Sequence, residues 1–262
     1  MNQEEKLDYL IDYLKRENPH QQDLLSKTAD TVDEKIALFR GLCNTRPPKQ
    51  VSEYFLNVQD AFLTEWNKSR ALVSLADLTS IRSQLYLWQG DITRLCVDGI
   101  VNAANSNFLG CTQANHNCID NIIHTRAGVQ LRLDCHEIIE AQGRKEPIGK
   151  AKITRAYNLP SNYVIHTVGP FIDERAPSPF KEHLLASSYQ SCLQLADEHG
   201  LDTIAFCSIS TGEFNFPNER AAEIAIDTVN AYLDKTGSKL NVIFDVFKDK
   251  DLHIYQGLLK KE

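Results

Sequence analysis

Apolar residues change their spacing near residue 85. Before it they recur at three- and four-residue intervals. Leu7, Leu10, Ile11 and Leu14 form one set, Ile36, Leu38, Phe39 and Leu42 a second, and Tyr54, Phe55, Val58, Phe62 and Trp66 a third. Such spacing puts each set on one face of a helix. Pro19 separates the first two sets, and Pro47 and Pro48 follow the second; proline lacks the N–H that a helix interior needs. Residues 1–72 thus read as a helical extension that packs on the rest of the chain and carries no recognisable chemistry.

From about Leu85 the pattern is strand, then helix. LYLWQG, GIVNAAN, KITRAY, YVIHTVG, TIAFCSIS and NVIFDVF are short runs rich in β-branched and aromatic residues, which predicts buried strands. Helical spacing recurs over 118–127, 129–142, 181–199, 218–235 and 248–260. Pro217 before Asn218 predicts a helix start, and Gly200 and Gly237 predict stops. The stretch PFIDERAPSPFKE, with three prolines, predicts a surface loop. The alternation implies an α/β layered domain over 73–262 with a largely parallel or mixed sheet. In such sheets ligands sit at the carboxyl ends of the strands.

Composition narrows this picture. At 262 residues, 42% hydrophobic and 24% charged, the chain can build a sizeable core. A formal net charge of −7 argues against a general nucleic-acid surface, which needs basic patches. A phosphate ligand stays compatible, because helix N-terminal N–H groups bind one without Lys or Arg. The seven cysteines are odd in number and scattered. MNQEEKLDYL lacks the features of a signal peptide, and no apolar run approaches the ~18 residues of a membrane span. The expected location is a reducing cytoplasm, with thiols free or metal-bound.

The candidate chemistry centres on Asn102 to Gly128, where Cys111, His116, Cys118 and Asp120 fall within ten residues. Two thiolates and an imidazole suit zinc, and three protein ligands leave a fourth position open, as in catalytic sites. The C-x4-H-x-C spacing is not that of a finger, so a closed structural site would borrow a ligand from afar. Asp120 starts a predicted helix, where the dipole favours its ionised form. It is either a plain cap or the group that orients and deprotonates a water.

Other strand ends carry weaker signals. Asp91, in Gly90-Asp91-Ile92, could cap a short helix over ITRL. Asn102 and Asn105 could be turn residues. Ser210-Thr211-Gly212-Glu213-Phe214 would let backbone N–H groups approach a diphosphate, though a plain strand-to-helix turn reads the same way. His166, in an apolar strand, and His124, on the helix after the loop, read as core or supporting residues. Cys96, Cys135, Cys192 and Cys207 read as small buried hydrophobes, and Cys43 is uninformative. If the strands are parallel neighbours, these loops meet along one rim.

Taken in order, GDI, VNAAN, IHTRAG, PIGKAKIT, LPSNYVIHTVGP and SISTGEFNFP resemble a macrodomain, the ADP-ribose-binding three-layer α/β/α fold with a mixed central sheet, over about 84–260. The glycine run that such hydrolases carry between NAAN and the helix is replaced here by GCTQANHNCIDNIIH. This is similar to the zinc-dependent macrodomains of bacteria and fungi, whose helical extension residues 1–70 also resemble. The resemblance implies a protein-ADP-ribose hydrolase with one Zn²⁺ per chain, held by Cys111, His116 and Cys118. Asp91 would accept the adenine amino group, with Ile92 beside it. Asn105 would face the distal ribose, under a loop of Cys118, Ile119, Asp120 and Asn121. Ser210 to Phe214 would wrap the diphosphate, and Asp120 would be the catalytic aspartate. Ala114 stands where relatives often have proline. In bacteria such proteins are often encoded beside a sirtuin-type ADP-ribosyltransferase and a lipoate-related carrier, which makes a lipoyl-carrier protein an expected partner. Three other readings stay open: a reader that binds ADP-ribose without cleavage, an O-acetyl-ADP-ribose deacetylase, and a Cys/His clip that only holds a loop.

Overall fold

A computed structural model describes residues 1–17, 24, 26–173 and 176–260. Pro19, and positions 174–175 of the proline-rich stretch, lie outside the described residues. Each early apolar set forms a helix: α1 (Gln3–Glu17), α2 (Val32–Thr45) and α3 (Glu53–Lys68). Thr31 starts α2 through a capping box with Glu34, which satisfies two backbone donors the helix cannot. Ser52 Oγ accepts from the Phe55 N–H to start α3. Leu7, Leu10, Leu14, Leu38, Phe39, Leu42, Phe55 and Phe62 fill a common core, and Val129 from farther along the chain joins it. Tyr54 departs from the expected face. It is 58% exposed, and its ring stands edge-on to Tyr9 at 5.2 Å. Trp66 is half-buried; it stacks on Phe62 and carries the Arg126 guanidinium 3.4 Å from its ring centroid.

Arg46, just past α2, is a buried cation. It forms a bidentate pair with Glu17 at 2.6 and 2.8 Å and donates to the carbonyls of Pro47, Lys49 and Gln50. Removing one partner of a buried pair strands the other charge, at about 3–5 kcal/mol. Glu17→Ala is therefore expected to lose about 3 kcal/mol in denaturant unfolding, the carbonyls holding the effect at the low end. A loss below about 1 kcal/mol would mean that the carbonyls suffice alone.

Among the described residues a seven-stranded sheet runs β2-β3-β9-β8-β5-β7-β6. Its strands are β2 (Ser80–Arg82), β3 (Leu85–Gln89), β5 (Gly99–Ala103), β6 (Ala151–Arg155), β7 (Tyr163–Thr167), β8 (Thr203–Phe206) and β9 (Asn241–Val246). β2 and β6 pair antiparallel at the two edges and every other pairing is parallel, so the sheet is mixed. β1 (Val73–Ser74) and β4 (Leu95–Cys96) form a separate parallel pair. β1, β2 and β4 are too short to show a period in sequence. Cys96 lies in β4 and is half-exposed rather than buried, whereas Cys135, Cys192 and Cys207 are buried as expected.

The central strands are buried along nearly their whole length, which requires cover on both faces. α4 (Ile119–Ala127) and α5 (Val129–Gln142) pack together and onto β5 and β6, while α6 (Pro179–Glu198), α7 (Asn218–Thr236) and α8 (Asp249–Leu259) form a contiguous row touching β7, β3 and β9. α6 starts inside the stretch expected to be loop. Pro179 sits in its first turn after the Ser178 cap, where a missing N–H costs nothing. Ile172 of that stretch is also buried, its N–H donating to Phe214 O at 2.8 Å.

The extension docks on α4 and α5 through buried polar groups. Gln59 accepts from the Val129 N–H and donates to Gln130 Oε1, Asn67 donates to the carbonyls of Arg126 and Asn158, and Arg132 of α5 donates to Asn44 O and Arg46 O. β3, β9, β8, β5 and β7 are mutually parallel, so their carboxyl ends share one rim.

Candidate active site

A cleft of about 900 Å³ opens along that rim. Successive positions on it come from successive strands: Asp91 follows β3, Phe247 follows β9, the Ser210–Phe214 loop follows β8, Asn105 follows β5 and Gly169 follows β7. At ~4.8 Å per strand, three strand steps separate the Asp91 end from the Asn105 end, about 14 Å. Every site residue expected from sequence lines this cleft except Asn121. Asn121 is fully buried behind the wall, accepting from Arg40 Nε at 2.8 Å and donating to Gln113 O at 3.0 Å.

Asp120 lies in the first turn of α4, on the cleft wall but only 6% exposed. Two amides fix its rotation. Asn102 Nδ2, at the end of β5, donates to Oδ1 at 2.8 Å, and Asn105 Nδ2 donates to Oδ2 at 3.2 Å. Burial pushes its carboxyl up to about 6, against the pull of Asn102, Arg132 and Asn105. Such a group ionises near neutrality, which suits a base. His124 Nε2 stands 3.6 Å from Oδ1, one turn along α4. Burial drives His124 well down, so its ring is neutral beside the carboxylate.

The loop from Asn105 to Cys118 turns tightly. Gly110 has φ 71°, and a Cβ there would sit 2.8 Å from the His124 ring. Asn105 bonds the Gly110 carbonyl at 3.1 Å and its Oδ1 accepts from the Asn107 N–H at 3.0 Å. The turn brings the ligand atoms of Cys111, His116 and Cys118 within 4.8 Å of one another. Burial pushes the Cys118 thiol up to about 12, so in isolation it keeps its proton. His116 Nδ1 is buried without a hydrogen-bond partner, while Nε2 lies 3.7 Å from Glu213. One unpartnered nitrogen, with the other turned towards a carboxylate, is the habit of a ligating imidazole. Two sulfurs and an imidazole within 4.8 Å of one another fit zinc.

His124, Cys135 and His166 form a second, fully buried cluster. His166 belongs to the core, its Nδ1 accepting from Asn102 at 3.1 Å and its Nε2 meeting Thr154 Oγ1 at 3.0 Å, whereas both His124 nitrogens are buried without a hydrogen-bond partner. With both nitrogens engaged, His166 has no lone pair to offer an ion, and burial holds it neutral, down to about 3.

The Ser210–Phe214 loop is fixed by its own backbone. Ser210 has φ 66°, an unusual conformation for a residue with a Cβ, fixed by Phe216 N–H donating to its carbonyl at 2.9 Å. Gly169 lies opposite, where a Cβ would come within 2.0 Å of Ser210 Oγ. Phe214 meets Phe171 edge-on, centroids 6.0 Å apart.

At the other end, Asp91 does cap the short helix Ile92–Arg94, Oδ1 accepting from Thr93 N. Its Oδ2 accepts from Arg70 Nη1 at 2.9 Å. Neighbouring Asp245 of β9 is 5% exposed with Oδ1 unpartnered, and burial together with Asp91 drives its carboxyl up. Asp245, Phe247 and Arg40 line the cleft without having been singled out in the sequence. For Asp245 a signal existed: a lone carboxylate within the apolar run VIFDVF.

Cleft and fold together define a three-layer α/β/α domain with a cleft at its parallel strand ends. The chain belongs to the macro domain family. The family model "Macro domain" matches residues 101–225. A protein named "Protein-ADP-ribose hydrolase" from Staphylococcus aureus (strain MSSA476) is 53% identical over 258 residues, 98% of this chain and 96% of that one. A protein of the same name from Treponema medium is 48% identical over 263 residues, 99% and 100% of the two chains. The crystal structure of a Trypanosoma brucei macrodomain in complex with ADP-ribose is similar in fold, with a TM-score of 0.65 and 28% identity over 80% of this chain and 92% of that one.

Proposed function

We propose that this protein is a protein-ADP-ribose hydrolase that cleaves the bond between C1″ of ADP-ribose and a modified side chain, with zinc held by Cys111, His116 and Cys118. One observation carries it: a cluster of two thiols and an imidazole lies on the cleft wall beside Asp120, a buried carboxylate held by two amides. Recognition alone needs neither. The order of the rim suits the ligand, with Asp91 and Phe247 for adenine, the Ser210–Phe214 N–H groups for the diphosphate, and Asn105 and Asp120 for the distal ribose. A zinc ion bound by the three side chains would supply Lewis acidity at the distal ribose.

Asp120 takes one proton of the attacking water, whose oxygen bonds to C1″ as the bond from C1″ to the modified side chain breaks, and Asp120 then passes that proton to the departing side-chain atom. Asn102 and Asn105 keep the carboxylate aimed. Burial of Asp120 keeps bulk water from competing with its two amide contacts. The deciding experiment follows free ADP-ribose released from a mono-ADP-ribosylated protein, before and after chelation. Binding without release would instead make the protein a reader, and release unaffected by chelation would reduce the Cys/His cluster to a clip.

Two finer readings belong here. A lipoate-related carrier as acceptor protein rests on the family resemblance and is tested by using a modified carrier as substrate. A cytoplasmic site is the setting in which half-exposed thiols stay reduced; no described helix is long and apolar enough to cross a membrane. Asp91→Ala is expected to weaken ADP-ribose binding about 10- to 100-fold in calorimetry, the ~1.5–3 kcal/mol of a hydrogen bond to a charged group. Unchanged affinity would move adenine away from Asp91.

A further inference from the structure

We propose that Arg40, carried by the helical extension, is a positioning residue of the active site: it clamps the Cys111–Cys118 loop so that its ligand atoms face one point. The proposal rests on the metal-holding role given to that loop above. Arg40 lies outside the residues matched by the family model, yet it lines the cleft. Its Nη2 donates to the carbonyl of His116 at 2.6 Å and its Nε to Asn121 Oδ1 at 2.8 Å. Asn121 passes the restraint on by donating to Gln113 O at 3.0 Å. One turn farther along α2, Asn44 Oδ1 accepts from the Asn115 N–H at 3.0 Å and its Nδ2 donates to Thr125 Oγ1 at 3.0 Å. Residues i and i+4 share a helix face, so a single face of α2 grips both the loop at 113–116 and the helix behind it at 121–125. Gly41 lets that face come close, since a Cβ there would stand 3.2 Å from Asn115 Nδ2.

Arg40 is half-buried, and its side-chain hydrogen bonds go to the His116 carbonyl and the Asn121 amide oxygen rather than to a carboxylate. The clamp needs a fork as well as a charge, because its two acceptors lie in different directions. Arginine's planar guanidinium provides that and a lysine ammonium does not.

The test uses the full chain loaded with Co²⁺, whose thiolate charge-transfer absorption reports the ligand set, with chelator competition to measure retention. Arg40→Ala and Arg40→Lys are compared with Lys35→Ala, a change on the same helix that removes ion pairs to Glu4 and Asp8 away from the loop. Both Arg40 variants are expected to alter the absorption and to release metal about 10- to 100-fold more readily, the usual cost of losing a group that orients metal ligands. K35A should match the wild type. Retention within twofold of wild type in R40A, or full rescue by lysine, overturns the clamp. If the wild type itself takes up no Co²⁺, the metal reading fails separately. Amide exchange at 116–121 then decides: at least ~10-fold faster exchange in R40A, absent in K35A, upholds the clamp, and equal exchange overturns it. R40K keeps the aliphatic stem and serves the same comparison should R40A not fold.

Discussion

Cys118→Ala is expected to abolish metal binding and to lower turnover by about 10³-fold or more, while ADP-ribose still binds within a few-fold of wild type. Lewis-acid stabilisation is worth several kcal/mol, and each ~1.4 kcal/mol is tenfold in rate. Affinity survives because binding is spread along the rim: the Asp91 end lies three strands away from the loop, and the Ser210–Phe214 backbone has its own hydrogen bond from Phe216 N–H, meeting the loop only through the Glu213 side chain near His116. Elemental analysis, calorimetry and a release assay on one preparation separate the three quantities. Wild-type turnover by a metal-free C118A protein would end the metal reading. Cys207→Ala is the matching control, since that thiol also borders the cleft but is buried and belongs to no ligand cluster among the described residues.

Asp120→Ala is expected to cut kcat by about 10²- to 10⁴-fold, the range for loss of a general base, with ADP-ribose affinity changed only a few-fold. A loss confined to kcat marks a contact made in the transition state; equal losses in rate and affinity would mark Asp120 as a binding residue. The metal-free protein offers a second readout. Burial raises this carboxyl from 3.8 to about 6, so the folded chain holds the proton more tightly than the unfolded one. The stability it contributes is present below about pH 4 and falls as pH rises towards 6. D120A should flatten the unfolding free energy in that window, and an unchanged slope would show that the carboxyl is not perturbed.

The fold was legible where the chain repeats a period. LYLWQG, GIVNAAN, YVIHTVG, TIAFCSIS and NVIFDVF all form strands of the parallel core, and the five later helical patterns fall within a few residues of α4 to α8. What escaped was short or tertiary. β1 and β2 span two and three residues, too few for alternation to show. Tyr54 matched the helical spacing, but its hydroxyl end tolerates water and it faces outward. The site divides in the same way. Asp120 and the Cys/His loop stood out by residue type and local spacing, whereas Asp91 and Asn105 read equally as a cap and a turn residue and took site roles only from the family resemblance. Arg40 could not be named, since its role arises from a contact across 81 positions to Asn121, and nothing about an arginine in FRGLC marks it. Asn121 could be named but not placed: its position in the helix is local, whereas its orientation is set by Arg40 and Gln113.

The docking of α1–α3 on α4 and α5 also sets an order of events during synthesis. The ribosome delivers the three early helices first, but Val129, which completes their apolar cluster, leaves the exit tunnel some sixty residues after Lys68. Until then the surface that will meet it stays wet, and the nascent segment must avoid alternative partners. Unlike a chain whose N-terminal unit folds alone before the next is made, this one is expected to gain protection against proteolysis late, once the sheet that carries α4 and α5 has emerged.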